Sequence, residues 1–324
     1  MVKAIRIHEN GPPTAMRWED VEVGDPGKGE VRLRHTAIGL NFIDTYHRAG
    51  LYQMQLPLTL GMEAAGVIEA VGRGVKGLKA GDRIAYAAAP LGAYAEARLM
   101  PVDKLVKIPA GISDEQAASM MLKGMTACYL LRQTYKVKKG DTILVHAAAG
   151  GVGLILCQWA KHLGARVIGT VGSDDKAKLA KAHGCHYPIV YTREDFVARV
   201  KQITRGKGVP VVYDSVGKAT FPGSLDCLQK RGLFVSFGNS SGPAPAFPLL
   251  MLTQKGSLFA TRPSLPDYTA TRAELEAVSR TLFQVVKSGK VKIKVNQRYA
   301  LKDAAQAHID LEARKTTGST VLVP

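Results

Sequence analysis

The feature that most constrains this fold is the glycine-rich turn in DTILVHAAAGGVGLILCQWAKHLGA, residues 141–165. Gly150, Gly151 and Gly153 follow a short apolar strand and precede a helical stretch that ends at Gly164. Glycines at such a turn let the backbone approach a pyrophosphate, which the N–H groups and dipole of the next helix then bind. The spacing AxxGxxG departs from GxGxxG, and a turn without a ligand is the alternative. The order strand, turn, helix, strand favours a dinucleotide site.

From residue 140 onward, apolar strands alternate with helices along the chain. Further strands are predicted for ARVIGTVG, YPIVY, VPVVYDSVG, LFVSFGNSSG and SLFATRP. Helices are predicted between them, notably for SDDKAKLAKAHG and EDFVARVKQITRG. This alternation predicts an α/β fold with a doubly wound parallel sheet covered by helices on both faces, and SLFATRP is a candidate edge strand.

The first 110 residues have a different character, with short alternating strands punctuated by glycine and proline. They predict a mostly antiparallel, barrel-like sheet, and helical spacing begins near residue 113. After about residue 262 the alternation weakens, and a helix over about 271–288 precedes segments that we expect to return to the first domain. A chain of 324 residues is long enough for two domains. We predict a catalytic domain over 1–125, completed by 262–324, and a dinucleotide-binding domain over 126–261.

The net charge is +17, from 44 basic and 27 acidic residues. This excess favours an anionic partner such as a phosphorylated cofactor, nucleic acid or an anionic surface. The basic residues are spread along the chain, which is more typical of a basic, solvated surface. No apolar run reaches the roughly 18 residues that a membrane span requires. The N-terminus has no apolar signal core, and the four cysteines form no CxxC pair, so we expect a cytoplasmic protein without membrane insertion.

The end of the second strand, GTVGSDDK, indicates which dinucleotide the site prefers. Gly172 and Ser173 stand where NAD sites commonly place an acid, and Lys176 follows one turn later. A small residue, a hydroxyl and a cation suit the 2′-phosphate of NADPH. Alternatively, Asp174 or Asp175 holds the ribose of NAD. We favour Ser173 as a helix N-cap with these two acids in the first turn, which predicts NADPH.

Several motifs together resemble one family. They are the run from Gly140 through AAGGVG to Lys161, GLNFIDTYHRAGLY (39–52), LKGMTACYLLRQTY (122–135), VVYDSVG (211–217), SFGNSSG (236–242) and TRPSL (261–265). In this order the chain resembles the zinc-free, zeta-crystallin-like quinone oxidoreductases of the medium-chain dehydrogenase/reductase superfamily. The resemblance covers essentially the whole chain. It implies a GroES-like catalytic domain, a Rossmann domain, NADPH and substrate in the cleft between them, and a homodimer joined through the Rossmann edge.

The resemblance also implies which residues contact the cofactor. On the nicotinamide side it implies Asn41, Phe42, Ile43, Asp44, Thr45, Tyr46 and Thr126. For the pyrophosphate it implies Gly150, Gly151, Val152, Gly153 and Leu154, and for the 2′-phosphate Ser173, Lys176, Tyr191 and Arg314, beside Gly172. The nicotinamide half is flanked by Phe237, Gly238, Asn239, Ser240, Arg262, Pro263, Ser264 and Leu265.

Each of these assignments has a structural alternative. Asn41 suits a turn, and Asp44 suits a helix N-cap or first turn equally well. Tyr46 and Tyr52 suit the core as aromatics with a satisfied hydroxyl. Taken alone, Arg314 is typical of a solvated helix end.

Zinc is not expected. Catalytic zinc in the superfamily uses a cysteine near the position of Asn41 and a His-Glu pair after Gly61, where this chain has Met62 and Glu63. His35, His47 and His146 show no ligand spacing with any cysteine, and no cysteine cluster occurs in residues 85–110. We interpret Glu63 as a buried, paired structural acid, with Arg262 as a hypothetical partner.

Without a metal, an alcohol would be a difficult substrate because its alkoxide is strongly basic. A quinone is already a good acceptor, and its reduced oxyanion is a delocalised phenolate. We therefore expect NADPH-dependent reduction of quinones by hydride or electron transfer, with Asn41, Tyr46 and Tyr52 orienting the substrate. Reduction of α,β-unsaturated carbonyls is the alternative enzyme activity. RNA binding is a third hypothesis that the charge suggests, but no motif with interleaved aromatics supports it.

Overall fold

The computed structural model describes residues 1–324, and the chain divides into two compact units. Unit 1 contains Met1–Met125, Thr269–Lys287 and Ile293–Pro324. Unit 2 contains Thr126–Tyr268 and Ser288–Lys292. None of the helices combines the length and apolar character that crossing a bilayer would require.

Unit 1 begins with eight short strands and one helix. The strands are β1 Val2–Ile7, β2 Met16–Val21, β3 Glu30–Leu40, β4 Leu58–Thr59, β5 Glu63–Val71, β6 Arg83–Ala87, β7 Ala97–Pro101 and β8 Val106–Lys107. Helix α1 spans Phe42–Ala49, directly after β3. Helix α2, Asp114–Tyr129, runs across the boundary between the units and continues as a π-helical turn, Leu130–Thr134.

Unit 2 alternates strands and helices. The strands are β9 Thr142–Val145, β10 Arg166–Val171, β11 Tyr187–Val190, β12 Val209–Asp214, β13 Leu228–Ser236 and β14 Phe259–Thr261. The helices are α3 Gly151–His162, α4 Asp174–Ala182, α5 Phe196–Ile203, α6 Gly223–Asp226 and α7 Leu250–Gln254. All six strands are parallel, in the order β11-β10-β9-β12-β13-β14, so the predicted sheet is confirmed.

Hydrophobic burial explains why this sheet forms. One cluster contains the fully buried side chains of Leu144, Ile168, Ile189 and Val212, from β9, β10, β11 and β12 respectively. Strands with apolar residues on both faces must be covered on both sides, and the crossover helices supply that cover. The strand order reverses direction between β9 and β12. In open α/β sheets, ligands bind beyond the carboxyl ends of the strands at such a reversal.

The chain then completes unit 1 with helix α8 Arg272–Lys287, strand β15 Val295–Ala300, helix α9 Ala304–Glu312 and strand β16 Ser319–Val323. Strand β16 pairs antiparallel with β3 and parallel with β15. The larger sheet has the order β15-β16-β3-β5-β6-β8, with β7 also on β3, and a smaller sheet has the order β2-β1-β4. The last strands therefore lie in the same sheet as the first domain's central strand.

Candidate active site

The predicted cofactor residues of unit 2 follow the carboxyl ends of its strands. Gly150–Leu154 come after β9, Gly172 and Ser173 after β10, Tyr191 after β11, Phe237–Ser240 after β13, and Arg262–Leu265 after β14. Carboxyl ends of parallel strands lie along one edge of the sheet, so the fold places this set along the same edge. Thr126 is different, because it lies buried within α2.

The glycine turn is built to expose the start of α3. Gly150 is the N-cap and provides no side-chain cap, so the first N–H groups of the helix have no partner inside it. A Cβ placed on Gly153 would lie 2.3 Å from the carbonyl oxygen of Ala147, which is too close for any side chain. Ala147 itself adopts a left-handed conformation, with φ of 52°. The turn thus packs tightly beneath a set of N–H donors suited to a phosphate anion.

Three of the residues predicted to hold the 2′-phosphate, Gly172, Ser173 and Tyr191, lie at the ends of β10 and β11. Ser173 Oγ accepts a hydrogen bond from the N–H of Lys176 at 3.3 Å, which confirms Ser173 as the N-cap of α4. A Cβ on Gly172 would lie 3.0 Å from the Tyr191 hydroxyl, so glycine lets that hydroxyl stand over the strand end. Asp174 faces solvent and pairs with Arg193 at 2.7 Å. These residues fit the 2′-phosphate of NADPH better than a bare ribose, because no unpaired acid lies at the strand end.

A buried polar network supports the turn from below. His146 Nδ1 lies 2.9 Å from Thr170 Oγ1, and His146 Nε2 lies 3.0 Å from Ser224 Oγ. Ser224 donates its hydroxyl proton to Asp214 at 2.7 Å, so His146 Nε2–H must donate to Ser224. Burial lowers the pKa of His146, which keeps the ring neutral. The network ties the ends of β9, β10 and β12 together. No local pattern indicates it, because its members are far apart in the chain.

In unit 1 the predicted site residues form the start of α1. Asn41 is buried and is the N-cap residue, and Asp44 lies in the first turn, where its Oδ2 accepts the N–H of Asn41 at 2.9 Å. Phe42 and Ile43 are partly exposed, whereas Thr45 and Tyr46 are buried. The rings of Tyr46 and Tyr52 meet edge to face with centroids 5.5 Å apart. Arg314 follows α9 in a left-handed conformation, with φ of 59°.

Glu63 is fully buried and accepts three hydrogen bonds. Its Oε2 accepts from Asn41 Nδ2 at 2.7 Å and from Lys123 Nζ at 3.3 Å, and its Oε1 accepts from the N–H of Leu122 at 2.7 Å. The interpretation as a buried, paired acid is therefore confirmed. Lys123, which was not the predicted partner, supplies the positive charge. Gly39 makes room, since a Cβ there would lie 2.3 Å from Glu63 Oε2.

This cluster also decides what Asn41 can offer a ligand. Its Nδ2 group donates one N–H to Glu63 and the other to the carbonyl oxygen of Gly39 at 3.3 Å. Both amide protons are used within the protein, so Asn41 can present only its Oδ1, which is an acceptor.

Asp44 lies in a second buried chain of hydrogen bonds. Its Oδ2 also accepts from the Tyr94 hydroxyl at 2.9 Å. An arginine is always a donor, so Arg48 donates to His308 Nδ1 at 2.9 Å, and His308 Nε2–H then donates to the Tyr94 oxygen at 3.1 Å. Burial raises the pKa of Asp44 to about 7, although the N–H of Asn41 and the Tyr94 hydroxyl oppose the shift. Two donors occupy Oδ2, so the proton of the neutral acid sits on Oδ1.

The side chains present do not fit a zinc ion. No group of three or more histidine, cysteine, aspartate or glutamate side chains is arranged to hold a metal. Both oxygens of Glu63 already accept hydrogen bonds from protein donors. Met62 and Asn41 occupy the other two positions where the superfamily's zinc ligands would stand.

A GroES-like unit combined with a Rossmann unit defines the medium-chain dehydrogenase/reductase class. Residues 27–110 match the alcohol dehydrogenase GroES-like domain, and residues 151–270 match the zinc-binding dehydrogenase domain. A quinone oxidoreductase of Pseudomonas aeruginosa is 54% identical over 100% of both chains. A 2-haloacrylate reductase of a Burkholderia species is 50% identical over 100% of this chain and 99% of its own.

A solved structure of a relative has the same fold as this chain. The Escherichia coli quinone oxidoreductase, determined in complex with NADPH, superposes with a TM-score of 0.98 at 52% identity, covering 99% of this chain and 100% of the other. The chain belongs to the quinone oxidoreductase family.

Proposed function

We propose that this protein is an NADPH-dependent quinone reductase. The observation that carries the proposal is the carboxyl edge of the unit 2 sheet. There a glycine cradle opens the start of α3, and Gly172, Ser173 and Lys176 replace the acid of an NAD site. The relatives named quinone oxidoreductase, one of them solved with NADPH, support the same cofactor and acceptor.

The proposed roles of the residues follow from their donors and acceptors. When bound, NADPH supplies the hydride. Gly150–Leu154 hold the pyrophosphate with backbone N–H groups, and Ser173, Lys176 and Tyr191 hold the 2′-phosphate. The hydroxyls of Tyr46 and Tyr52 orient a quinone oxygen. Asn41 cannot donate to that oxygen, because both of its N–H groups are used within the protein, and it can only accept a hydrogen bond through Oδ1. The product of quinone reduction is a delocalised oxyanion, so these hydrogen bonds suffice and we propose that no zinc takes part.

Turnover with quinones tests this proposal. Purified protein is mixed with NADPH and a panel of small quinones, and the loss of nicotinamide absorbance is followed. Cofactor binding is measured separately by fluorescence titration. Turnover with at least one quinone, unchanged by a chelator, is expected. Tight NADPH binding without turnover on any quinone would contradict the proposed reaction while leaving the cofactor assignment intact.

Cofactor preference has its own test. Lys176→Ala should weaken NADPH binding about tenfold or more and leave NADH binding nearly unchanged, since only NADPH carries the 2′-phosphate. Lys178→Ala is the matched control, because Lys178 lies on the same helix, faces solvent and pairs with Asp175. If Lys176→Ala weakens NADPH and NADH binding equally, Lys176 does not contact the 2′-phosphate.

A second candidate activity is the reduction of α,β-unsaturated carbonyls. The 2-haloacrylate reductase at 50% identity specifically favours it, because an acrylate accepts hydride at a carbon conjugated with a carbonyl. Comparing kcat/KM for matched enones, 2-haloacrylates and quinones separates the two activities. If kcat/KM for an acrylate exceeds kcat/KM for every quinone, reduction of unsaturated carbonyls becomes the first candidate activity and quinone reduction the second.

We also propose that the protein is a homodimer. Strand β14 is the edge of the unit 2 sheet, and Leu249, Leu250 and Phe259 near it are 79%, 62% and 60% exposed. An uncovered sheet edge beside large apolar side chains favours pairing with a second copy.

A further inference from the structure

Unit 1 contains a cavity that the proposed reaction does not use. It has a volume of about 810 Å³ and lies between one face of α8, the loop after β5 and the segment around β8. This volume falls in the range of pockets that hold small organic ligands, roughly 300–1,000 Å³. Every lining residue belongs to unit 1.

The floor of the cavity is apolar. Val106 and Phe283 are buried beneath it, and Leu78 and Val102 are partly buried at its sides. Such a surface favours an aliphatic group, because burying each methylene removes apolar area from water.

The rim of the cavity is cationic. Lys76, Arg280 and Lys287 are exposed lining residues that form no ion pair or side-chain hydrogen bond. Arg280 and Lys287 lie seven residues apart on α8, which puts them two turns apart on one face, about 10 Å along the axis. Phe283 lies between them, and Lys76 comes from the opposite wall. The apolar floor is therefore bracketed by three unpaired positive charges.

The acidic residues of the rim do not cancel these charges. Asp103 pairs with Lys104 at 3.0 Å, and Glu276 pairs with Arg272 at 2.7 Å. Arg272 also donates to the carbonyl oxygen of Leu105, so its guanidinium belongs to the wall. The fifth lining cation, Lys107, pairs with Asp82 at 2.8 Å. The charges left without partners are all positive.

We propose that this cavity binds an amphipathic anion, an alkyl chain with a single carboxylate head. The head would lie between Arg280, Lys287 and Lys76, and the chain would cover Phe283 and Val106. A single-stranded nucleic acid would need a row of aromatic stacking platforms. Phe283 is the one aromatic residue in the lining, and it is buried in the floor. The concave apolar floor therefore favours a small amphiphile.

Calorimetry with decanoate below its micellar concentration tests the proposal. Saturating NADPH is present so that the nucleotide site is filled. One decanoate per chain is expected to bind, with affinity rising up to roughly fourfold per methylene from hexanoate to decanoate. Decanol and decyltrimethylammonium should bind at least tenfold more weakly. Equal binding of the three ten-carbon probes would overturn the proposal.

Paired variants separate a built site from general attraction to a chain of net charge +17. Arg280→Glu with Lys287→Glu should weaken decanoate at least tenfold, and Arg280→Lys with Lys287→Arg should retain it. Lys294→Glu with Lys302→Glu changes the net charge equally at exposed positions outside the cavity. An equal loss in that control would mean charge attraction alone and would overturn the site. Turnover plays no part in these measurements, so they stand apart from the quinone assay.

Discussion

Two buried carboxylates of unit 1 differ because of the donors around them. Glu63 is surrounded by a cation, a side-chain amide and a backbone N–H, which together stabilise a carboxylate in the interior. Asp44 receives two donors on one oxygen, and its other oxygen, Oδ1, has no partner. At Asp44 the effect of burial is larger than that of the two hydrogen bonds, and it raises the pKa to about 7.

Asp44→Asn should flatten part of the pH dependence of stability. The native pKa of Asp44 lies above its ordinary value of 3.8, so the native state binds this proton more tightly than the unfolded chain. The stability that Asp44 contributes is fully present below about pH 4 and is lost as pH rises through about 7. Asparagine keeps the acceptor and does not titrate. Urea unfolding at pH 5 and pH 8 should show a smaller difference in the variant than in the parent, and an unchanged difference would contradict the raised pKa.

Glu63→Ala should be strongly destabilising, by about 3–5 kcal/mol, because it leaves the buried Lys123 charge without a partner. Asp175→Ala removes an acid that is almost fully exposed and should change the free energy of unfolding by less than about 0.5 kcal/mol. Chemical denaturation of both variants checks this. A loss at Glu63 as small as the control's would mean that the pair contributes little.

At the level of single elements, the start of α3 depends on the absence of a side chain. Gly153 sits against the backbone of Ala147 and Ala148, so a methyl group there must displace backbone atoms. Gly150 is less restricted, because a Cβ there would lie 3.1 Å from the Ala147 carbonyl oxygen. The absence of a side chain at Gly153 both permits the tight packing of the turn and leaves the first N–H groups of α3 accessible.

Gly153→Ala should therefore lower the free energy of unfolding by about 1–3 kcal/mol and weaken NADPH binding. Gly11→Ala is the control, since a Cβ there meets Ala15 at an ordinary distance of 3.5 Å. Denaturation without cofactor and a fluorescence titration with NADPH measure the two effects. Full stability in Gly153→Ala would mean that the turn relaxes without cost.

At the scale of the whole molecule, the strand order leaves one apolar edge of the unit 2 sheet exposed. Leu250→Lys with Phe259→Lys should convert a dimer into a monomer, because two buried lysines at a symmetric interface would oppose each other. Light scattering after gel filtration measures the mass. Val71→Lys replaces an exposed apolar residue of unit 1 and should leave the dimer intact. A monomeric parent protein would contradict the proposed assembly.

Short-range patterns predicted much of this architecture. The alternation after residue 140 predicted the parallel sheet, and Ser173 before Asp174 predicted the start of α4, because periodicity and capping act within a few residues. The candidate phosphate site followed from the same local signals. Lys123 was not predicted as the partner of Glu63, because it lies 60 residues away and nothing near Glu63 indicates it.

The amino-acid sequence by itself determined the class of fold, the family and the type of cofactor turn, since each rests on residue types at short spacing. Only the tertiary structure decided the chemical state of the unit 1 side chains. The Tyr94 hydroxyl reaches Asp44 from 50 residues away, and His308 orients that hydroxyl from further along the chain. Together with the N–H of Asn41 and burial, the Tyr94 hydroxyl settles which oxygen of Asp44 carries the proton. Burial and long-range hydrogen bonding depend on which segments pack together, and local spacing does not encode that.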